Sequence, residues 1–284
     1  MDKNDVSRAV LITGCSSGIG RATALRLVAA GWFVYATARR RESLTELDAA
    51  GCRTLALDVT DDGSMRNALA HIEAEVWTVG VLVNNAGYSQ SGAIDTLSSE
   101  ALRRQFETNV FGAIRLAQLV LPGMRRQGWG KIVNISSIGG KLTFPGGGAY
   151  HGSKYALEAL SDVLRIEVRG FGIDVIVIEP GLIRTGFAEA AVSAMEKGTH
   201  PYTLFNEAVA KGTREVYEKG SLARLGGSPG AVARTVKKAI TAKRPRSRYP
   251  VTASAWLLLG LRALLPDRAW DAMQLRQFPQ LRIV

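Results

Sequence analysis

Short apolar, β-rich runs alternate along the chain with longer segments of helical periodicity, and this alternation is the feature that most restricts the fold. The predicted strands cover residues 9–13, 32–37, 54–57, 81–84, 131–135 and 173–178. The predicted helices cover residues 19–30, 63–77, 98–106, 111–127 and 150–168. Continuous apolar strands separated by helices are typical of a parallel sheet that is buried on both faces. We therefore predict an α/β fold: one doubly wound parallel sheet with helices on both faces and a ligand crevice at the carboxyl ends of the strands.

The pattern changes after residue 178. Residues 182–225 have a mainly helical composition and are interpreted as an insertion above the crevice, while residues 231–242 and 249–252 predict one more helix and a last strand. Residues 253–284 are predicted to form a helical C-terminal extension, whose apolar stretch 255–265 is too short to cross a bilayer. No linker-like segment interrupts the chain, so we expect one domain over residues 1–284.

Composition narrows the class of protein. The 284 residues are 46% hydrophobic, which supplies enough apolar side chains for a large core and excludes a disordered chain. The two cysteines, Cys15 and Cys52, cannot form the disulfide framework of a secreted protein of this size. Residues 1–8 are polar and contain no apolar signal core. We therefore expect a soluble protein of the cytoplasm.

Positive charge is concentrated near the C-terminus. Residues 233–284 carry 11 basic and two acidic side chains, a net charge of +9, which leaves +2 of the total +11 for the rest of the chain. One interpretation is peripheral attachment to an anionic membrane through these cations and residues 256–265. The interpretation we favour is that the apolar stretch packs over the crevice or against a partner subunit while the charges are solvated. Nucleic-acid binding is not expected, because no recognition motif accompanies the charge.

A glycine-rich segment, TGCSSGIG at residues 13–20, follows the first predicted strand and leads directly into a helical pattern. Glycines permit a tight turn and a close approach to a phosphate, and the helix N-terminus supplies free N–H groups and the positive end of its dipole. Taken alone, the segment is also compatible with an ordinary glycine loop. Its candidate ligand contacts are Gly14, Ser16, Ser17, Gly18, Ile19 and Gly20.

Further motifs follow this loop in order: NNAG at 84–87, Asn109, NISS at 134–137, YHGSK at 150–154 and PG at 180–181. With their spacing, the chain resembles the short-chain dehydrogenase/reductase family over roughly residues 8–186, and within it the hydroxysteroid and retinol dehydrogenase branch. The resemblance implies a Rossmann-type fold, a dinucleotide-binding catalytic domain, and hydride transfer between a nicotinamide cofactor and a carbonyl or alcohol.

Tyr150 and Lys154 are four residues apart in a predicted helix and therefore lie on one face of it. A lysine ammonium near a phenol favours the phenolate and lowers the tyrosine pKa, which suits Tyr150 as a general acid or base. Ser137, at a strand end, can polarise a carbonyl oxygen, and Ser136 is the competing candidate. The resemblance favours Ser137, because the family's serine precedes the tyrosine by 13 residues, as Ser137 does.

The resemblance also implies that Lys154 binds the nicotinamide ribose and that Asn109 holds a water in the proton relay. For Asn109 the alternative is a helix amide that makes a local hydrogen bond. For Tyr150 the alternative is a core aromatic side chain whose hydroxyl is satisfied within the protein.

The charges that follow the second predicted strand indicate whether the cofactor is NAD(H) or NADP(H). In the resembled family an acidic residue there binds the ribose hydroxyls of NAD. Here the strand is followed by Arg39, Arg40 and Arg41, with no acid before Glu42. Guanidinium groups suit a 2′-phosphate, so NADP(H) is the predicted cofactor with Arg39 as its leading contact, and NAD(H) is the alternative. The glycine loop departs from many NADP-preferring relatives, because it carries Ser16 and Ser17 and no basic residue.

The remaining predicted cofactor contacts come from the resemblance. They are Asp58 and Val59 at the adenine edge, Asn85, Ala86 and Gly87 after the fourth strand, and Pro180, Gly181, Ile183 and Thr185 beside the nicotinamide. Ordinary turn preferences would also account for Asp58, Pro180 and Gly181.

The predicted substrate pocket is apolar, with a lining drawn from Tyr88, Leu142, Phe144, Phe187, Met195 and Phe205. Such a lining favours a hydrophobic ketone, aldehyde or secondary alcohol, steroid-, retinoid- or lipid-like. The resemblance further implies a homodimer or homotetramer formed through the predicted helices 111–127 and 150–168. His71, His151 and His200 lack the spacing of a metal site, so we predict no metal. The alternative functions are an NAD(H)-dependent alcohol dehydrogenase of the same family and a membrane-peripheral binding protein with vestigial activity.

Overall fold

The strands of the structure form one sheet in which every neighbouring pair is parallel. The computed structural model describes residues 6–195, 201–218 and 221–277. Within them the strands are β1 Val10–Ile12, β2 Val34–Ala38, β3 Arg53–Ala56, β4 Val81–Asn84, β5 Gly130–Ile135, β6 Ile173–Pro180 and β7 Arg248–Val251. Their order is β3-β2-β1-β4-β5-β6-β7, so the chain moves outward from β1 and then crosses back to begin the other half at β4. This reversal opens a crevice at the carboxyl ends of β1 and β4.

Helices cover both faces of the sheet. They are α1 Gly18–Val28, α2 Thr45–Ala49, α3 Asp62–Val76, α4 Ser99–Phe106, α5 Gly112–Gln127, α6 Gly148–Glu167, α7 Phe187–Ser193, α8 Thr203–Glu218, α9 Ser221–Arg224, α10 Pro229–Thr241, α11 Ala253–Leu264 and α12 Asp267–Gln277. The predicted α/β fold is confirmed. The sequence missed α2 and the 3₁₀ turn Arg41–Leu44 before it, because elements of one turn are too short to show a periodicity.

The central strands β1, β2, β4 and β5 are buried on both faces, and their sequences are accordingly rich in apolar residues, whereas the edge strands β3 and β7 are partly exposed. In β1, Val10 and Ile12 join a core cluster on one side of the sheet, while Leu11, between them, joins the cluster on the other side. Helices α1 and α10 close the first side, with Leu27 and Val236 fully buried there. Helices α3 and α5 close the second side. Burial on both faces fixes the register of the strands, and with it the position of each strand end.

The C-terminal helices pack beside the segment that follows β5. Ala255 and Leu258 of α11 and Trp270 of α12 form a buried cluster with Ile138 and Leu142. The apolar stretch 255–265 is therefore covered on one side by the segment after β5, whereas the favoured interpretation placed it over the crevice or against a partner subunit. Its other side carries Trp256 and Leu264, which are 61% and 83% exposed. Within the described ranges, no helix is long and apolar enough to span a membrane.

A cluster of charged side chains, of which Glu158 and Glu179 are buried, joins β7 to α6. Arg248 Nε lies 3.0 Å from Glu158 Oε2 and 3.3 Å from Glu179 Oε1, and its Nη2 lies 2.6 Å from Asp162 Oδ2. Burial, together with the nearby carboxylate of Glu158, raises the pKa of Glu179 to about 7. Arg248 thus forms ion pairs with three carboxylates, and two of them, those of Glu158 and Asp162, lie on α6.

We expect Leu82→Ala in the middle of the sheet to lower the free energy of unfolding by about 3 kcal/mol, because it leaves a cavity in a close-packed core. Leu82 is fully buried, whereas Leu257 on α11 is 51% exposed. Leu257→Ala is therefore the matched control, with an expected loss below about 1 kcal/mol. Urea unfolding followed by circular dichroism measures both values, and equal losses would contradict the described packing.

Candidate active site

A cavity of about 1180 Å³ lies at the carboxyl edge of the sheet, where the strand order reverses. Most of the predicted site residues line it: Gly14, Ser16, Ser17, Gly18, Ile19, Arg39, Asp58, Val59, Asn85, Ala86, Gly87, Ser137, Tyr150, Lys154, Pro180, Gly181, Ile183 and Thr185. Gly20 and Asn109 are not part of its wall. Residues far apart in the sequence meet here because parallel strands end at one edge.

The glycine loop between β1 and α1 is shaped by close backbone contacts. Gly14 has a φ of +70°, and a Cβ there would lie 2.8 Å from Cα of Ala86. A Cβ on Gly20 would lie 2.4 Å from the carbonyl oxygen of Gly14. Gly20 therefore acts behind the cavity wall, where it lets α1 approach the loop.

The first turn of α1 fits an anionic ligand. Ser17 is the N-cap residue, yet its side chain makes no capping hydrogen bond, and the turn contains no acidic residue. The first N–H groups of a helix have no partner within the helix, and the dipole gives this end positive character. These uncapped N–H groups, together with the absence of Cβ atoms at Gly14 and Gly18, fit the pyrophosphate of a dinucleotide.

Thr13 and Asn85 hold the ends of β1 and β4 together beside this loop. The Thr13 hydroxyl accepts hydrogen bonds from the backbone N–H groups of Asn85 and Ala86, each at 3.0 Å. The Asn85 side chain donates to the carbonyl oxygens of Thr13 and Gly14, at 2.9 and 3.0 Å. These hydrogen bonds fix the backbone between the ends of β1 and β4 at the floor of the cavity. They use the Nδ2 group of Asn85 as the donor.

Helix α6 carries Tyr150 and Lys154 to the cavity, and the segment after β5 carries Ser137. Lys154 is buried, and its Nζ donates to the carbonyl oxygen of Ile135 at 2.8 Å and lies 5.8 Å from the centre of the Tyr150 ring. Ser137 lies close enough to Tyr150 for its hydroxyl to lower the pKa of the phenol. The Oγ of Ser136 is buried without a hydrogen-bond partner in the protein. Of the two serines, Ser137 is the one that engages Tyr150.

Burial controls the acidity of this pair. It raises the pKa of Tyr150 to about 12, and the hydrogen bond from Ser137 opposes the rise. It lowers the pKa of Lys154 to about 8, which the carboxylate of Glu158 opposes. The direction for Tyr150 differs from the sequence expectation of a lowered pKa. Desolvation of the phenolate outweighs the attraction of an ammonium that is itself desolvated and directed at the carbonyl of Ile135.

Asn109 lies in a π-helical turn, Glu107–Phe111, that connects α4 to α5. Its Oδ1 accepts from the backbone N–H of Tyr88 at 3.1 Å, and its Nδ2 donates to the carbonyl of Tyr88 and to Ser153 Oγ. The side chain thus fixes the segment after Gly87 and ties it to α6. These contacts join distant parts of the chain and are not the local hydrogen bond of the alternative, and the predicted role in holding a water remains a prediction.

The three arginines after β2 have different surroundings. Arg39 lines the cavity and makes no hydrogen bond or ion pair with any residue in the described ranges. Arg41 Nε donates to Thr54 Oγ1 at 3.3 Å, away from the cavity. Arg40 is exposed and is not part of the cavity wall. Asp58 also lines the cavity, while its Oδ1 accepts from the N–H and hydroxyl of Thr60, as a turn residue does.

The opposite end of the cavity is formed after β6. The residues on either side of Ile183 bond to Gly227: Leu182 through its carbonyl oxygen and Arg184 through its N–H. The backbone groups of Ile183 therefore point the other way. A Cβ on Gly181 would lie 2.5 Å from Thr252 Oγ1, so only glycine fits there. The Thr185 hydroxyl accepts from the N–H of Phe187 at 3.1 Å.

The predicted apolar lining is partly wrong. Tyr88 and Phe187 line the cavity, but Leu142 and Phe144 pack with the C-terminal helices, and Met195 and Phe205 pack in a separate cluster. Tyr217 of α8 and Arg104 of α4 also belong to the wall and were missed by the sequence reasoning. The Tyr217 ring lies 6.4 Å from Phe187, whose ring lies 5.4 Å from Tyr150. Helical periodicity inside an insertion does not reveal which side faces a cavity.

The histidines do not form a metal site in the described part of the chain. No cluster of three or more His, Cys, Asp or Glu side chains that could hold a metal ion occurs there. His71 lies 3.6 Å from Glu75 on the surface of α3. His151 is buried beside Tyr150, and His200 lies outside the described residues.

Comparison with known proteins agrees with this geometry. The model of the short chain dehydrogenase family matches residues 8–196. The NADPH-dependent 3-dehydrocapnine reductase of Ornithobacterium rhinotracheale is 35% identical over 96% of this chain and 98% of its own. Retinol dehydrogenase 8 of Bos taurus is 34% identical over 93% of this chain and 87% of its own. The crystal structure of a short-chain dehydrogenase from Streptomyces avermitilis covers 99% of this chain and 100% of its own at 34% identity, with a TM-score of 0.79.

The chain belongs to the short-chain dehydrogenase family. It is therefore an oxidoreductase that acts on CH–OH or C=O groups and uses a nicotinamide dinucleotide.

Because burial lowers the pKa of Lys154 to about 8 from 10.5, the unfolded chain holds this proton more tightly than the folded protein between these pH values. Stability therefore rises with pH across that range, and the cost of the buried ammonium is fully present only below pH 8. We expect Lys154→Met to have its largest stability advantage over the wild type near pH 7, and a smaller one at pH 10.

Guanidinium unfolding at the two pH values measures this difference. Lys211→Met, at an exposed position on α8, is the control and should show no such dependence on pH. A Lys154→Met difference that is the same at pH 7 and pH 10 would contradict the lowered pKa.

Proposed function

We propose that this protein transfers a hydride reversibly between NADP(H) and a hydrophobic ketone, aldehyde or secondary alcohol. The observation that carries the proposal is the meeting of Ser137, Tyr150 and Lys154 on the wall of one cavity. The same wall includes Arg39, which has no hydrogen-bond or ion-pair partner among the described residues. With NADP(H) as cofactor, reduction of a carbonyl is the proposed cellular direction.

Ser137, Tyr150 and Lys154 have separate roles in the proposed reaction. When bound, the dinucleotide supplies or accepts the hydride at C4 of its nicotinamide. Tyr150 Oη gives a proton to the carbonyl oxygen during reduction and takes it back during oxidation. Ser137 donates a hydrogen bond to the same oxygen and stabilises the charge that develops there. Lys154 holds the ribose hydroxyls and places a positive charge beside the phenol.

The preference for NADP(H) rests on the charges around the adenosine end. Arg39 lines the cavity and has no protein partner in the described ranges, so its guanidinium group is available to bind a 2′-phosphate. A guanidinium group binds a phosphate dianion through charge-assisted hydrogen bonds. A relative with 35% identity is named for NADPH dependence. An NAD(H)-dependent alcohol dehydrogenase is the second candidate, favoured by the absence of a basic residue among Ser16, Ser17 and their neighbours in the glycine loop.

The proposed substrate class follows from the aromatic walls of the cavity. Tyr88, Phe187 and Tyr217 surround the space beside Tyr150. Such walls bury an apolar carbonyl compound more favourably than a sugar. The relative named retinol dehydrogenase 8 acts, by its name, on a hydrophobic alcohol. We propose that the described part of the predicted insertion 182–225, which includes α7 and α8, covers the substrate as part of one catalytic domain.

Assembly is a further part of the proposal. Apolar side chains are exposed just before α5, where Phe111 is 55% exposed, and on α6, where Val163 is 54% and Ile166 is 71% exposed. Burial of these side chains between subunits would form a homodimer or homotetramer. We propose a cytoplasmic enzyme without nucleic-acid partners, and we favour packing of α11 on its own chain over contact with a membrane.

The proposed function is tested with a panel of ketones, aldehydes and alcohols that includes steroids, retinoids and long-chain compounds. Absorbance at the wavelength of reduced nicotinamide reports turnover with NADPH and with NADH. Turnover of hydrophobic members with NADPH is the expected result. Turnover restricted to polar carbonyl compounds would contradict the substrate class, and absence of turnover across the panel would contradict the function.

Tyr150→Phe is expected to reduce kcat by at least about 10³-fold, because it removes the proton that the carbonyl oxygen needs. The dissociation constant for NADPH, measured by fluorescence, should change little, since the phenyl ring keeps its place. Tyr155→Phe, one turn further along α6 at an exposed position, is the control. Substantial turnover in the Tyr150 variant would remove this residue as the acid.

Arg39→Ala is expected to raise the KM for NADPH about tenfold to a hundredfold, because a charge-assisted hydrogen bond to the phosphate is lost. The KM for NADH should stay within about twofold. Arg40→Ala, at the neighbouring exposed arginine, is the matched control for the change in net charge. Equal losses for both cofactors in the Arg39 variant would show that no phosphate contact exists.

A further inference from the structure

His151, the residue after Tyr150, is buried, with 7% of its surface exposed, and forms hydrogen bonds through both ring nitrogens. Its Nδ1 lies 3.1 Å from the carbonyl oxygen of Gly139, and its Nε2 accepts from the backbone N–H of Phe144 at 3.2 Å. A backbone N–H can only donate, so Nε2 must be unprotonated. The proton therefore resides on Nδ1, where it is donated to Gly139. One neutral tautomer satisfies both contacts.

The segment from Ser137 to Gly147, here called the serine loop, is fitted around this ring. A Cβ on Gly139 would lie 2.7 Å from Nδ1 of His151, and a Cβ on Gly147 would lie 2.6 Å from Nε2. Real Cβ atoms do not come so close, so both positions require glycine while the imidazole is in place. The ring also packs against Phe144, at 5.9 Å between ring centres. The serine loop and His151 are thus mutually fitted in shape as well as in hydrogen bonding.

Gly139 links the His151 ring to Ser137 through two hydrogen bonds. Its carbonyl accepts from His151, and its N–H donates to Ser137 Oγ at 3.0 Å. A serine hydroxyl has one proton to donate and two lone pairs. Since the Gly139 N–H occupies a lone pair, the hydroxyl proton stays available for the phenol oxygen or the substrate oxygen. The same contact fixes the rotamer of Ser137.

We propose that His151 is a positioning residue that, as its neutral Nδ1–H tautomer, orients the catalytic Ser137 through Gly139. The proposal rests on the proposed function, because it assigns a task within the same site. His151 itself does not line the cavity and exchanges no proton with the substrate. Displacement of a catalytic group by about 1 Å can reduce turnover about 10²-fold, which sets the scale of the expected effect.

Two variants separate hydrogen bonding from shape. His151→Phe keeps a planar ring and loses both hydrogen bonds, so kcat should fall by about 10²-fold while the dissociation constant for NADPH stays within about twofold. His151→Gln keeps one donor and one acceptor at similar spacing and should retain kcat within about fivefold. His71→Gln on the surface of α3 is the control and should match the wild type. Equal loss in the Phe and Gln variants would overturn the proposal.

A double-mutant cycle tests whether His151 acts through Ser137. If it does, His151→Phe should cost almost nothing in a Ser137→Ala background, because the group that it orients is already absent. Additive losses would assign His151 a structural role and overturn the proposal. Cofactor binding and circular dichroism are recorded for every variant, so a misfolded protein is recognised.

A spectroscopic readout is independent of turnover. Nitrogen-15 NMR of histidine-labelled protein distinguishes the two neutral tautomers and the imidazolium, and the spectrum of His151→Gln identifies the signal of His151 among the three histidines of the chain. We expect the Nδ1–H form at neutral pH. The Nε2–H form or the imidazolium would overturn the proposal even where the wild type is active. An inactive wild type with the expected tautomer would instead count against the proposed function, and with it the assigned task of His151.

Discussion

Parallel pairing of strands that are buried on both faces is the constraint on which the other features depend. It brings the ends of β1, β2 and β4–β6 to one edge, so that residues separated by more than a hundred positions share one cavity. It also fixes the strand register, because every residue of β1 contacts a core on one side or the other. A shift of one residue would exchange the two cores and move the strand ends out of place. The site is therefore determined by the packing of the whole sheet.

Within the site, the absence of side-chain atoms matters as much as their presence. Gly14, Gly20, Gly139 and Gly181 each lie where a Cβ would approach another group to within 3 Å. At Gly14 and Gly20 two backbone segments are in close contact, at Gly139 the backbone meets an imidazole ring, and at Gly181 it meets the hydroxyl groups of Thr252 and Ser254. The cavity shape thus depends on backbone atoms, which move less than side chains do. Such rigidity suits a reaction in which a proton and a hydride must arrive at adjacent atoms.

The strands, the main helices and most of the cavity wall could be predicted from the sequence, because apolar periodicity and strand-end motifs are local signals. The preference for Ser137 over Ser136 came from its spacing to Tyr150 and remains a prediction, and Ser137 is the serine that lowers the pKa of Tyr150. Other features depend on distant packing. Desolvation reversed the expected direction of the Tyr150 pKa, and the folding of the insertion placed Phe205 and Met195 in a separate cluster while bringing Tyr217 to the wall. No local pattern in the sequence carries this information.

The Arg248 cluster makes the helix of Tyr150 and Lys154 dependent on the last part of the chain. Arg248 lies beyond residue 196, where the match to the family model ends, yet it neutralises Glu158 and Asp162 on α6. A chimera that joins the first 196 residues of this chain to the tail of a relative would keep Lys141 beside Glu158 and Arg165 beside Asp162, but it would lose the guanidinium group that contacts both carboxylates, unless the new tail brings a cation to the same place. The front part of the enzyme is thus not an interchangeable module, and its electrostatic balance is completed by the tail.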